Sequence, residues 1–256
     1  MGARILAIAN QKGGVGKTTT ALSLAGALRL AGKRVLVMDL DPHGCASVHM
    51  GRYPEQVEGS AYDLFMAEAP DKALWDAVTG PALEAGFFLT PSHVRLSELD
   101  IELRARPEKG LTLKKALTII EDAYDYVIID CPPHMGVLLV NALVASDLLI
   151  IPIQTDFLAL HGLRLIFDTV RMLNRVLSKP LRFKALATMY DKRAGACVRV
   201  LRLLRKKLGP RMFETVIGMD TKFREASADG KVIHQAAPDS RGAREYRLLA
   251  QEIMIL

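Results

Sequence analysis

Eight residues near the amino terminus carry the densest chemistry in the chain: Lys12-Gly13-Gly14-Val15-Gly16-Lys17-Thr18-Thr19. Successive glycines let a backbone turn tightly enough for its N–H groups to converge on one phosphate. Lys17 can then reach the terminal phosphates of a nucleotide, and the Thr18 hydroxyl can hold Mg²⁺. Lys12 to Thr19 are therefore the candidate nucleotide-binding residues, with ATP and Mg²⁺ as the ligands implied. An ordinary phosphate loop has glycine where this chain has Gln11, and here a second lysine, Lys12, heads the glycines. One lysine serves one nucleotide, so the extra cation needs a role of its own.

Two further positions suit the same chemistry. Asp130 closes the apolar run 126–130, and Asp39 closes 34–39 in the same way. A carboxylate at the carboxyl end of a buried strand is costly unless a metal or its waters pair with it. Asp39, Asp130 and Thr18 are thus the candidate metal residues. Asp41 follows in Asp39-Leu40-Asp41-Pro42, where it can orient or deprotonate an attacking water. The competing reading for each aspartate is a helix cap.

The elements around these residues come in the order a phosphate loop needs. An apolar strand over 4–9 leads into the glycines, and a helix over 19–30 follows and stops at Gly32. The helix dipole then adds to anion binding. Further strands are expected at 34–39, 126–130, 148–153 and 183–189. Helices are expected at 61–68, 96–105, 109–123, 137–145, 158–177, 196–208, 221–228 and 242–254. The alternation predicts an α/β fold: one doubly wound, mostly parallel sheet flanked by helices, with ligands at the carboxyl ends of its strands. With no repeat and no long linker, residues 1–256 are expected to form a single domain.

Composition excludes other classes. The chain has 256 residues, half of them hydrophobic, yet no apolar run approaches the roughly 20 residues that span a bilayer. No N-terminal signal is expected, because lysines 12 and 17 interrupt too early. Cys45, Cys131 and Cys197 lie far apart, which suggests neither a zinc site nor a disulfide framework but small buried or half-buried residues in a reducing cytoplasm.

Gln11-Lys12-Gly13-Gly14-Val15-Gly16-Lys17-Thr18-Thr19-Thr20, Asp39-Leu40-Asp41-Pro42 and Asp130-Cys131-Pro132-Pro133 together resemble the ParA/MinD family of deviant-Walker ATPases, over residues 4 to about 250. The resemblance implies a slow, partner-stimulated, Mg²⁺-dependent ATPase in which Lys12 reaches the nucleotide of a second copy, so that ATP drives homodimerisation. It implies Lys17 on the phosphates, Thr18 on Mg²⁺, Asp41 on the hydrolytic water and Asp130 as the Walker B carboxylate. Lys12, Lys17 and Asp41 are the catalytic candidates, and Met189 joins the nucleotide-binding set. The chain departs from the family at His43 and Cys45, where Gln and Asn are usual, in the loop that senses the γ-phosphate.

Charge separates the possible surfaces. The total is +6, but residues 181–256 carry 16 Lys and Arg against 8 Asp and Glu, whereas residues 1–180 carry 18 against 20. In 196–208, Cys197, Leu201, Leu204 and Leu208 form one stripe, and Arg199, Arg202 and Lys206 another. Such a basic face is commonly only solvated, but the regional excess points to a polyanion. The family resemblance adds Arg193, in Asp191-Lys192-Arg193, and Arg224, before Glu225-Ala226-Ser227, as phosphate contacts. Non-specific DNA binding is implied, with about four to six phosphates per dimer and a log–log salt slope of roughly −4 to −5. The protein is then expected in the cytoplasm and, with ATP, on the nucleoid.

The stretches 188–193, 220–227 and 239–242 are similar to ParC-type members that position chemotaxis arrays or other protein cargo. The alternatives are chromosome or plasmid partition with a centromere-binding partner, a membrane-bound MinD-like regulator, a metal-cluster carrier, or a small-molecule kinase or amide-forming synthase. The tail 245–256 mixes acidic and basic residues, unlike the lysine-rich amphipathic helix of MinD-like members, and no membrane is expected.

Overall fold

The computed structural model describes residues 2–175, 177 and 179–256, and of residues 160–163 and 165 the backbone alone. Seven strands form one sheet: β1 (Arg4–Ile8), β2 (Val35–Asp39), β3 (Phe88–Thr90), β4 (Tyr126–Asp130), β5 (Leu148–Gln154), β6 (Arg182–Tyr190) and β7 (Met212–Gly218). Their order is β3-β2-β4-β1-β5-β6-β7, and every pairing is parallel. The central strands β1, β2, β4 and β5 are continuous apolar runs because helices cover both faces. The predicted doubly wound α/β fold is the one observed.

The helices are α1 (Lys17–Leu30), α2 (Cys45–His49), α3 (Ala61–Met66), α4 (Lys72–Thr79), α5 (Leu99–Glu102), α6 (Thr112–Leu117), α7 (Val137–Ala145), α8 (Ala159–Leu173), α9 (Gly195–Leu208), α10 (Lys222–Ala228), α11 (Ile233–Ala236) and α12 (Arg241–Met254). Two apolar cores lie on opposite faces of the sheet. One gathers Met38, Trp75, Ile129, Leu139 and Ile151; the other packs Leu24, Leu28, Ile150, Phe213 and Tyr246 between α1, α12 and the strands.

Several sequence expectations need correction. β3 and β7 were missed: β3 has three residues, and β7 is an edge strand carrying Glu214 at its outward positions. Helices α2, α4 and α11 were missed as well. The helix expected at 96–105 is a 3₁₀ turn (Val94–Glu98) running into α5, and that at 109–123 is α6 with a 3₁₀ turn at each end. The helix expected over 158–177 ends at Leu173, and its expected end includes residue 176, outside the described residues. Cys45 is exposed rather than buried, because it opens the short surface helix α2; Cys131 is buried and Cys197 half-buried.

Candidate nucleotide site

The glycine loop joins the carboxyl end of β1 to the first turn of α1. Gly14 and Gly16 hold φ values of 73° and 88°, a region that strains any side-chain-bearing residue. A Cβ added at Gly13, Gly14 or Gly16 would meet nothing within 4 Å, so the loop surrounds open space. Its shape is fixed from three sides. The Asn10 amide donates to the Pro152 carbonyl at 2.8 Å, and the Lys12 N–H donates to Asn10 Oδ1 at 3.0 Å. The Thr188 hydroxyl donates to the Val15 carbonyl at 2.9 Å, pinning buried Val15 to β6.

Behind the loop lie the two aspartates. Parallel register places Asp39 directly beside Asp130 on neighbouring strands. Both are buried, and burial raises both carboxyls above the usual carboxylate range, Asp39 to about 6; for Asp130 the adjoining Asp39 charge adds to the effect. Thr18 Oγ1 donates to Asp130 Oδ2 at 2.7 Å, and both Thr18 and the Lys17 ammonium oppose the rise at Asp130.

The two carboxylates differ in what they leave open. Asp39 Oδ2 accepts the Ser47 N–H at 2.8 Å and the Ser47 hydroxyl at 2.7 Å, and its Oδ1 accepts the Asp41 N–H at 3.2 Å. Asp39, expected among the metal residues, anchors the following loop through these bonds. Asp130 Oδ1, by contrast, is buried with no hydrogen-bond partner among the described residues. A buried unpaired carboxylate oxygen is expensive, and here it stands beside a threonine hydroxyl at the mouth of a glycine cradle. Among the described residues no three His, Cys, Asp or Glu side chains form a metal cage. Thr18 with Asp130 is the sparser donor set that fits Mg²⁺, which keeps several waters and takes substrate phosphates as ligands.

The loop after β2 is stitched tightly. The Ser92 hydroxyl donates to the Asp41 carbonyl at 2.5 Å, and the Ser92 N–H donates to the Ser47 hydroxyl at 2.8 Å. Asp41 Oδ1 receives the His43 N–H at 3.0 Å and lies 2.9 Å from His43 Nδ1, which must carry a proton to approach a carboxylate. That leaves Asp41 Oδ2 for another donor.

Lys12 does not point into the cradle. Its ammonium is paired with Asp156, in the turn after β5, whose Oδ1 also caps the Leu158 N–H at 3.0 Å. Asp156 was missed by sequence reasoning, although a carboxylate just past a buried strand is the same signal that marked Asp39 and Asp130. Ser47 and Thr188 carried no such signal.

A cavity of about 590 Å³ opens beside the loop, lined by Gly16, Thr19, Met189, Arg193, Phe223 and Arg224 among others. Met189 adopts φ 51°, a left-handed conformation uncommon outside glycine, asparagine and aspartate. Arg193 and Arg224 thus share a wall with Thr19 and Met189. The Arg193 guanidinium also grips Asp191 through two hydrogen bonds of 3.1 Å. Arg199, Arg202 and Lys206 lie elsewhere, on the exposed side of α9, while Leu201 and Leu204 are buried beneath it. The four arginines and one lysine predicted to act together are therefore divided between a cavity wall and a helix face.

Residues 3–183 match the family model of an AAA domain. The sporulation initiation inhibitor protein Soj of Bacillus subtilis is 39% identical over 98% of this chain and 98% of its own length. The chromosome partitioning protein ParA of Caulobacter vibrioides is 37% identical, over 98% and 94%. This chain belongs to the ParA/MinD family of P-loop ATPases. Among solved structures, cobyrinic acid a,c-diamide synthase of Mycobacterium smegmatis, with bound ATP analog and magnesium, superposes with a TM-score of 0.83 at 31% identity, covering 98% of this chain and 94% of that one. Among the described residues, no helix of this ParA/MinD-type ATPase is long and apolar enough to cross a membrane.

Proposed function

We propose that the whole chain works as one ATPase domain that dimerises on ATP and Mg²⁺, binds DNA without sequence preference and positions a cargo. The observation that carries this reading is the second lysine at the head of a formed phosphate loop. Lys17 and the loop N–H groups take the phosphates, and Thr18 with Asp130 would hold Mg²⁺. That ion would neutralise charge developing on the β- and γ-oxygens. The M. smegmatis structure, with its ATP analog and magnesium, supports both ligands.

Asp41 has one oxygen occupied by His43 and one free to orient the attacking water. As the water oxygen bonds to the γ-phosphorus, the bond to the β-bridging oxygen breaks and the water's proton passes to the Asp41 side. His43 replaces the glutamine usual in the family, and its contact with Asp41 sets how that carboxylate is held.

Lys12 is paired with its own Asp156 in a single copy. Two facing ammonium groups repel unless triphosphates lie between them. Exchange of Asp156 for a partner's phosphates would couple nucleotide occupancy to dimerisation, and loss of the γ-phosphate would return each lysine to its aspartate. In the ATP state the protein would be nucleoid-bound, and a partner or cargo adaptor would stimulate hydrolysis. The name of the Caulobacter relative, a chromosome partitioning protein, favours chromosome cargo as the second reading beside protein cargo. Gel filtration of Lys12→Gln tests the switch. The expected variant binds ATP and elutes as a monomer; an ATP dimer like that of the parent protein would refute the role of Lys12.

A further inference from the structure

The largest cavity described lies at the opposite end of the sheet. It measures about 800 Å³ and sits where β5 and β6 begin and where α8 and α9 end. Five cations line it, Arg171, Arg182, Lys184, Lys207 and Arg211, and no carboxylate does. Phe183 lies in its wall with the Arg211 guanidinium 5.2 Å above the ring, and the Lys184 ammonium stands 5.0 Å over Phe213. Arg171 has a 3.7 Å contact with Asp168. Among the described residues, Arg182, Lys184, Lys207 and Arg211 have no carboxylate partner.

Cations gather naturally at helix carboxyl ends, where each dipole presents about half a negative charge. Arg171 and Lys207 can be explained so. Arg182, Lys184 and Arg211 cannot, because they stand on β6 and on the turn before β7. The excess positive charge faces an open concavity, and it accounts for much of the +8 carried by residues 181–256.

We propose that this pocket seats the phosphodiester backbone of duplex DNA, as the far end of a basic track along α9. The inference rests on the DNA-binding reading above and moves its centre away from Arg193 and Arg224. Chain direction supplies the track. β6 rises to the nucleotide end, α9 descends the full depth of the sheet, and β7 rises again from the pocket. Arg199, Arg202 and Lys206 stand on the exposed side of that descent, and Lys207 turns into the pocket. The type of donor argues for a polymer over a small phosphate. A free nucleotide is held by fixed backbone N–H groups, as in the glycine loop. Here the cations are the ends of long side chains, suited to neutralising a backbone and releasing counterions.

The test uses the full chain with a slowly hydrolysed ATP analogue, Mg²⁺ and a fluorescent duplex, titrated at several salt concentrations. R182A/K207A/R211A changes only exposed side chains. The triple variant is expected to bind the analogue normally, lose about tenfold or more in DNA affinity, and show a log–log salt slope shallower by about 0.9 for each contact removed. R182Q/K207Q/R211Q, which keeps length and polarity, should lose as much, a check against altered folding. Unchanged affinity and slope in both variants, with R199A/R202A/K206A or R193A/R224A impaired, would overturn the pocket while leaving DNA binding intact. Wild-type protein that ignores the duplex in every nucleotide state would overturn both. Tripolyphosphate that binds wild type but not the triple variant, with DNA binding equal in the two, would assign the pocket to a small anion and refute the proposal.

Discussion

The two ends of the sheet handle charge in opposite ways. At the carboxyl end the groups poised for the ligand's phosphates and metal are fixed and singly placed: one orphan oxygen on Asp130, one threonine hydroxyl beside it, one glycine loop. At the amino end and along α9 they are many, long and exposed. The first arrangement suits a ligand with fixed geometry. The second suits a polymer, for which the number of contacts matters more than the position of any one. The difference teaches what to expect of substitution: abrupt losses at one end, graded and salt-dependent ones at the other.

The largest effect should come from Asp41→Ala. If Asp41 positions and deprotonates water, hydrolysis falls by about 10²- to 10⁴-fold while ATP-driven dimerisation persists. Single-turnover kinetics read beside gel filtration would show both; a variant hydrolysing at the parent rate would break the contrast by making this end as tolerant as the other.

Next comes a buried brace of the carboxyl end. His234 Nε2 lies 3.0 Å from the Ser23 carbonyl on α1 and donates to it, while burial depresses the imidazole to about 4. The unfolded chain takes up this proton near pH 6.5 and the folded one only near 4. The stabilisation is therefore present above about 6.5 and is lost as pH falls toward 4, by up to about 3 kcal/mol. Denaturant melts of wild type and His234→Gln at pH 7 and pH 5 should converge at the lower pH. Parallel curves at both would remove the histidine from the account.

Asp156→Asn should have the smallest effect. The Lys12–Asp156 pair is part-exposed, with side chains 26% and 34% accessible, so it is worth about 1 kcal/mol or less. Freeing Lys12 is expected to lower the ATP concentration for half-maximal dimerisation by no more than about fivefold. A shift in the other direction would mean that Asp156 also supports the dimer.

Much of this was legible before any coordinates. The glycine loop, the strands around it and the placing of Asp39 and Asp130 follow from buried parallel strands reading as unbroken apolar runs. β3 and β7 carry no such run: one is too short, and the other, at the edge, mixes Glu214 and Thr215 with apolar residues. Contacts across the fold were beyond reach. Nothing local ties Lys12 to a residue 144 positions later, or reveals that Asp39 is satisfied by Ser47 while Asp130 is left open. The basic pocket was hidden for the same reason, since Arg171, Arg182 and Lys207 converge only once the ends of α8 and α9 meet the start of β6. Family resemblance drew attention to Arg193 and Arg224, and only the fold shows that both share a cavity wall with Thr19 and Met189.

DNA retention compared with ATP, with ADP and without nucleotide tests directly whether the two ends communicate. Retention with ATP and Mg²⁺ alone is expected, since only then do two copies present their basic tracks together. Equal retention in all three conditions would contradict the coupling and leave the amino-end charges without a switch.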